Sequence, residues 1–136
     1  MAETIRQVDY FYVQTPDKPG AAANVLARIK EEGVNLLAFS GFPNGRRSQL
    51  DFIPADSEAF KKAARRAGLK LSARKTGFLI QGSDRVGAVG DILGKLAAAK
   101  INVTAVDAAC AGENRYGAIL WVKPQNVKRA AKALGI

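Results

Sequence analysis

The sequence is written twice. Slid 67 positions along itself, the chain aligns without a gap from Phe11 to Gly68, and thirteen of those 58 positions are identical. They include Phe11/Phe78, Gln14/Gln81, Asp17/Asp84, Gly20/Gly87, Leu26/Leu93, Asn35/Asn102, Gly45/Gly112, Ala64/Ala131 and Gly68/Gly135. Others are near swaps, such as Lys18/Arg85, Asn24/Asp91, Val25/Ile92 and Val34/Ile101. A match this long marks a tandem duplication, so the fold must be built from two like pieces.

Each copy repeats one plan. A strand rich in aromatic and β-branched residues comes first, Val8 to Gln14 in one copy and Gly77 to Gln81 in the other. A helix follows: Ala22, Val25, Leu26 and Ile29 fall at i, i+3, i+4, i+7, as do Val89, Ile92, Leu93 and Leu96. Gly33 can close the first helix in a left-handed conformation. "VNLLAFSGF" and "INVTAVDAA" read as second strands, "PNG" and "AGEN" as turns, and "SQLDFI" and "YGAILWV" as third strands. A second helix starts near Asp56-Ser57 and near Pro124, with apolar stripes Phe60, Ala63, Ala64, Ala67 and Val127, Ala130, Ala131, Leu134. "LKLSA" is then a fourth strand for the first copy.

The predicted class is α+β, a ferredoxin-like βαββαβ two-layer sandwich duplicated in tandem. The expected domains are 1–75 and 76–136. After Gly135 the second copy has only Ile136, so it lacks its last strand. Either "ETIRQ" extends the first strand over the open edge, or a partner chain does so, because an uncovered edge invites pairing. A homo-oligomer, most simply a dimer, is expected.

Composition narrows the chemistry. Hydrophobic residues make up 48% and charged residues 24%, a globular balance. No apolar run approaches the ~20 residues that span a bilayer. "MAETIRQ" is polar and carries an acid, unlike a targeting peptide, so a cytoplasmic protein with no membrane role is expected. There is no histidine, which removes the usual general base and the commonest metal ligand. Cys110 is the single cysteine and reads as a small buried hydrophobe. No catalytic triad, P-loop, metal cluster or dinucleotide fingerprint occurs. The reading is therefore no enzyme, no catalytic residue, no metal site and no cofactor.

The repeated loops "DKPG" (Asp17 to Gly20) and "DRVG" (Asp84 to Gly87) precede the first helix of each copy. An aspartate there can cap the helix. The same atoms suit a ligand: a helix start presents free N–H groups to a carboxylate, an aspartate attracts an ammonium group, and glycine permits close approach. Asn35 and Asn102 open the second strand of each copy, and their amides can both donate and accept.

"DKPG", a helix, "EEGVNLLAFSG", a turn, a third strand and a second helix resemble the ACT domain, and "DRVG…AAAKINVTAVDA" resembles a second one. The resemblance implies βαββαβ regulatory modules, many of which bind an amino acid between two domains, at the loop after strand one and the start of strand two. The matching positions are Asp17, Lys18, Gly20, Ala21 and Asn35 in the first copy, and Asp84, Arg85, Gly87, Ala88 and Asn102 in the second. Asp17 and Asp84 would hold the ammonium group, the helix starts the carboxylate, and the asparagines would orient the ligand. Family members with a histidine two residues before the loop acid find Thr15 and Gly82 here. The implied function is regulatory: binding of an amino acid or similar carboxylate, signalled through domain or oligomer rearrangement, with regulation of an amino-acid biosynthetic enzyme in trans as the alternative.

A second alternative is nucleic-acid binding, suggested by the +9 formal charge and by Tyr10 and Tyr12 sharing a strand face. The third strands lack the basic-glycine-aromatic signature. The basic residues gather instead on the second helices, Lys61, Lys62, Arg65, Arg66 and Lys128, Arg129, Lys132, opposite the apolar stripes, as a solvated face would.

Overall fold

The structure, a computed structural model, describes residues 3–136. They form two compact units, Asp9–Lys75 and, joined by the N-terminal stretch through Val8, Thr76–Ile136. The expected division at 1–75 and 76–136 differs from this in the N-terminal residues alone.

In the first unit, β1 (Thr4–Pro16, from Asp9 onward), α1 (Ala21–Glu31), β2 (Leu36–Asn44), β3 (Arg47–Pro54) and α2 (Ser57–Arg66) follow one another. β1 and β2 flank β3, both antiparallel to it. Asp56 caps α2 by accepting from the Ala59 N–H at 3.0 Å. Phe11, Phe52 and Phe60 centre the core, with ring centroids 5.5 and 5.2 Å from Phe60.

The second unit contains β4 (Lys75–Ser83), α3 (Ala88–Ala98), β5 (Ala105–Gly112), β6 (Arg115–Trp121), a 3₁₀ turn at Pro124–Asn126 and α4 (Val127–Leu134). β4 and β5 flank β6, again antiparallel. Its core is more aliphatic, with Ile80, Ile92, Leu96 and Leu120 around Phe78. The strand missing from this copy is supplied by the N-terminal start of β1, which lies beside β4. There the Thr4 hydroxyl donates to the Gln81 carbonyl at 3.3 Å. Ile5 packs against the second unit's core. The sheet edge is thus closed by the chain itself.

Two expectations need correction. "LKLSA" is not a strand. Ser72 N–H does donate to the Tyr12 carbonyl at 2.9 Å, but the Tyr12 N–H donates at 2.9 Å to the Ser72 hydroxyl. A side chain takes the place of the ladder carbonyl and the pairing goes no further. The gapless repeat also slips by one residue. β5 carries an irregularity between Cys110 and Gly112 that β2 lacks at the same place, so Thr15 opposes Ser48 whereas Gly82 opposes Tyr116. Tyr116 is therefore the structural counterpart of Ser48, although the sequence match aligns it with Gln49.

Candidate functional site

Both loops end at a left-handed glycine that starts the helix, Gly20 at φ 86° and Gly87 at φ 80°. Neither helix start receives a side-chain cap. Asp17 and Asp84 are therefore not the caps expected of them, and the first-turn N–H groups after Ala21 and Ala88 are left for another acceptor. The reason is geometric: the tight turn seats glycine, which has no acceptor, in the cap position, and the aspartate lies three residues before it.

In the first loop, Asp17 accepts from the Ser48 hydroxyl at 3.0 Å. The Lys18 carbonyl accepts from Ala21 N–H at 3.3 Å, and the Lys18 N–H donates to Pro16. Thr15 stands on the face of β1 that carries Phe11 and Val13, and is only 5% exposed. Its hydroxyl has no hydrogen-bond partner among the described residues. A buried polar group without a partner costs about 1–3 kcal/mol, which makes this hydroxyl unusual.

The second loop is tied up by its own neighbours. Asp84 N–H donates to the Asn114 carbonyl at 2.7 Å, and the Cys110 thiol donates to the Asp84 carboxylate at 3.2 Å. That bond pushes the Cys110 thiol up from its ordinary range. Arg85 donates to Asp91 at 2.7 Å and lies 3.8 Å from Glu3. Glu3 accepts from the Tyr116 hydroxyl. Asp84, Arg85, Gly87–Gly90, Ala108–Cys110 and Tyr116 line an open groove of about 340 Å³.

Within each unit the asparagine does not join its loop. Asn35 follows α1 and Asn102 follows α3, whereas Asp17 and Asp84 precede those helices. An 11-residue helix separates each pair, ~16 Å at 1.5 Å per residue. Asn35 lines a different groove with Leu26, Lys30 and Gly33, and its carbonyl accepts from Ala55 N–H at 2.9 Å.

Other sequence readings shift as well. Cys110 is exposed, not buried, because β5 is an edge strand that presents it beside Asp84. Part of the helical basic charge is engaged locally. Arg66 pairs with Glu32 at 2.9 Å, Lys61 with Glu58 at 3.6 Å, and Arg129 donates to the Ala99 carbonyl at the end of α3 at 2.7 Å. Lys75 sits 5.9 Å from the centre of the Tyr12 ring. Among the described residues no cluster of acids, histidines and cysteines could hold a metal ion, and no helix is long and apolar enough to cross a membrane. Sequence reasoning missed Glu3, Ser48 and Tyr116. Only the strand pairing places them at the loops, and the one-residue slip hid the match of Ser48 to Tyr116.

No family model and no curated protein matches the sequence. Solved structures do match. A protein of Bacteroides thetaiotaomicron is 19% identical, with a TM-score of 0.81 over 96% of this chain and 88% of its own. The regulatory subunit of aspartate kinase from Thermus thermophilus is 18% identical, with a TM-score of 0.65 over 97% of this chain and 93% of its own. A structure of aspartokinase alpha and beta subunits is 17% identical, with a TM-score of 0.62 over 100% of this chain and 99% of its own. At these identities the likeness establishes the fold alone: a repeated βαββα arrangement, shared with the regulatory subunit of aspartate kinase.

Proposed function

We propose that this protein is a regulatory binding protein, without catalysis of its own, whose first loop takes an amino acid or a similar small carboxylate. The observation that carries this is Thr15: a buried hydroxyl without a partner, two residues before Asp17 and just ahead of an uncapped helix start. In this reading the first-turn N–H groups beyond Gly20 and Ala21 receive the carboxylate. Asp17 receives the ammonium group, the Thr15 hydroxyl gains a partner, and Lys18 adds positive charge at the rim. The similarity to regulatory subunits of aspartate kinase, over nearly their whole length, supports a regulatory role. The output then passes to a partner enzyme of amino-acid metabolism or to a change in homo-oligomeric state. A ligand shifts either equilibrium only by its differential affinity for the two states.

The test is a melting-temperature panel over the twenty amino acids. A selective ligand at a hundredfold excess over its Kd stabilises the fold by about 2.7 kcal/mol. Thr15→Val and Asp17→Ala are expected to abolish the response, and Asn35→Ala to leave it intact. A panel without any response at millimolar concentration refutes the ligand. A response that depends on Asn35 and ignores Thr15 and Asp17 refutes the site.

A further inference from the structure

The N-terminal strand does more than close a sheet edge. It carries Glu3 into the second unit, where the side chain is 19% exposed. Three features receive it there. The Tyr116 hydroxyl donates to its carboxylate. Arg85 Nη2 lies 3.8 Å from the same oxygen. The stem lies against the bare backbone of Gly82, where an added Cβ would stand 2.6 Å from Glu3 Cγ and 3.1 Å from Tyr116 Cε1. No real side chain tolerates the shorter of those distances, so Gly82 and Glu3 fit each other. The first copy has Thr15 at the position of Gly82, and Ser48 at that of Tyr116.

A guanidinium, a phenol and a bare strand backbone converging on one carboxylate form a carboxylate receptor. The geometry points to a small-carboxylate site in the second unit, built from Arg85, Tyr116 and Gly82 and occupied by the chain's own Glu3 as an internal ligand. Asp91 is the other acid on Arg85, at 2.7 Å through Nη1, whereas the 3.8 Å approach to Glu3 is through Nη2. Burial and the Glu3 bond both push the Tyr116 hydroxyl up to about 12, so it stays protonated well past the ordinary phenol range. The external ligand that fits once Glu3 is removed is a short monocarboxylate, acetate being the simplest. The first loop plays no part in this, so the site stands or falls apart from the amino-acid reading.

The experiment compares full-length Glu3→Ala, Glu3→Gln and the parent chain in sodium acetate against sodium chloride at equal ionic strength. Glu3→Ala is expected to gain a rise in Tm in acetate that grows with the logarithm of acetate concentration, about 5 °C at tenfold excess over Kd. Glu3→Gln, which still fills the space, and the parent chain are expected to gain none. Adding Arg85→Ala to Glu3→Ala should erase the gain. If Glu3→Ala does not fold alone, acetate is expected to restore its circular-dichroism signal where chloride does not. A Glu3→Ala chain that melts identically in the two salts, or stays unfolded in both, overturns the proposal. So does a gain that survives the loss of Arg85.

Discussion

The two loops began as one sequence and now hold different states. In the first, Asp17 accepts from Ser48, and the Thr15 hydroxyl is buried without a partner among the described residues. In the second, Asp84, Arg85 and Tyr116 each have a partner within the unit, and Glu3 fills the space above Gly82. The backbones are alike: both loops turn through a left-handed glycine into an uncapped helix. Among the differences is one pair of facing residues, Thr15 with Ser48 against Gly82 with Tyr116. The smaller strand residue admits a side chain from the N-terminal strand, and the larger one leaves its own hydroxyl open. Duplicating a site therefore does not duplicate its occupancy, because occupancy depends on what the rest of the chain brings to it.

The comparison breaks most forcefully at Gly82. Gly82→Thr copies the first loop into the second and sets a Cβ where Glu3 and Tyr116 already are. Overpacking of this kind costs about 1–3 kcal/mol, and Glu3→Ala should recover part of the loss. Denaturant melts of the single and double variants measure it. A Gly82→Thr chain as stable as the parent would mean that Glu3 does not occupy that space.

The helix starts offer a control in which the loops should behave alike. Gly20→Ala and Gly87→Ala both force alanine to positive φ, and nothing lies within 4 Å of the added carbon at either site. Left-handed strain alone then sets the cost, about 1 kcal/mol each. Costs differing severalfold would show that one loop relaxes and the other does not.

Thr15→Val runs in the opposite direction. It removes a buried hydroxyl without a partner at nearly constant shape, so stability without ligand should rise by about 1 kcal/mol. A loss of similar size would show that the hydroxyl is satisfied.

The smallest effect is silent at neutral pH. Burial, then the carboxylate of Asp51, raises Tyr10 in the first unit to about 12, and burial, then the Glu3 bond, raises Tyr116 in the second to about 12. Above pH 10 the unfolded phenols lose protons that the folded ones keep, so the folded state binds more protons and stability falls as pH rises. The contribution is whole below pH 10 and is lost as pH rises through about 12. Tyr116→Phe should flatten the second unit's share of that fall, and Tyr10→Phe the first unit's. A pH dependence unchanged in both variants would separate it from these phenols.

Much of this fold was legible because it is local. Helical spacing at Val25, Leu26 and Ile29 and at Ile92, Leu93 and Leu96 reports a buried face directly. The loop glycines report a backbone that only glycine takes without strain. The candidate site was legible in part: the repeat marked Asp17, Gly20, Asp84 and Gly87, but it grouped them with Asn35 and Asn102, each one helix length away. Cys110 looked buried by residue type, yet it lies on an edge strand where residue type has little say.

The sequence by itself determined that there are two copies, that each reads strand, helix, strand, strand, helix, and where each loop turns. These follow from periodicity and backbone sterics within a few residues. Only the tertiary structure decided that Thr4–Val8 completes the second unit, that β6 is slipped by one residue against its repeat, and that Glu3 reaches Tyr116 across 113 positions of sequence. Strand pairing joins residues without regard to their separation along the chain, and one unpaired residue changes every facing partner beyond it. The two loops share a sequence pattern for local reasons and differ in what fills them for long-range ones.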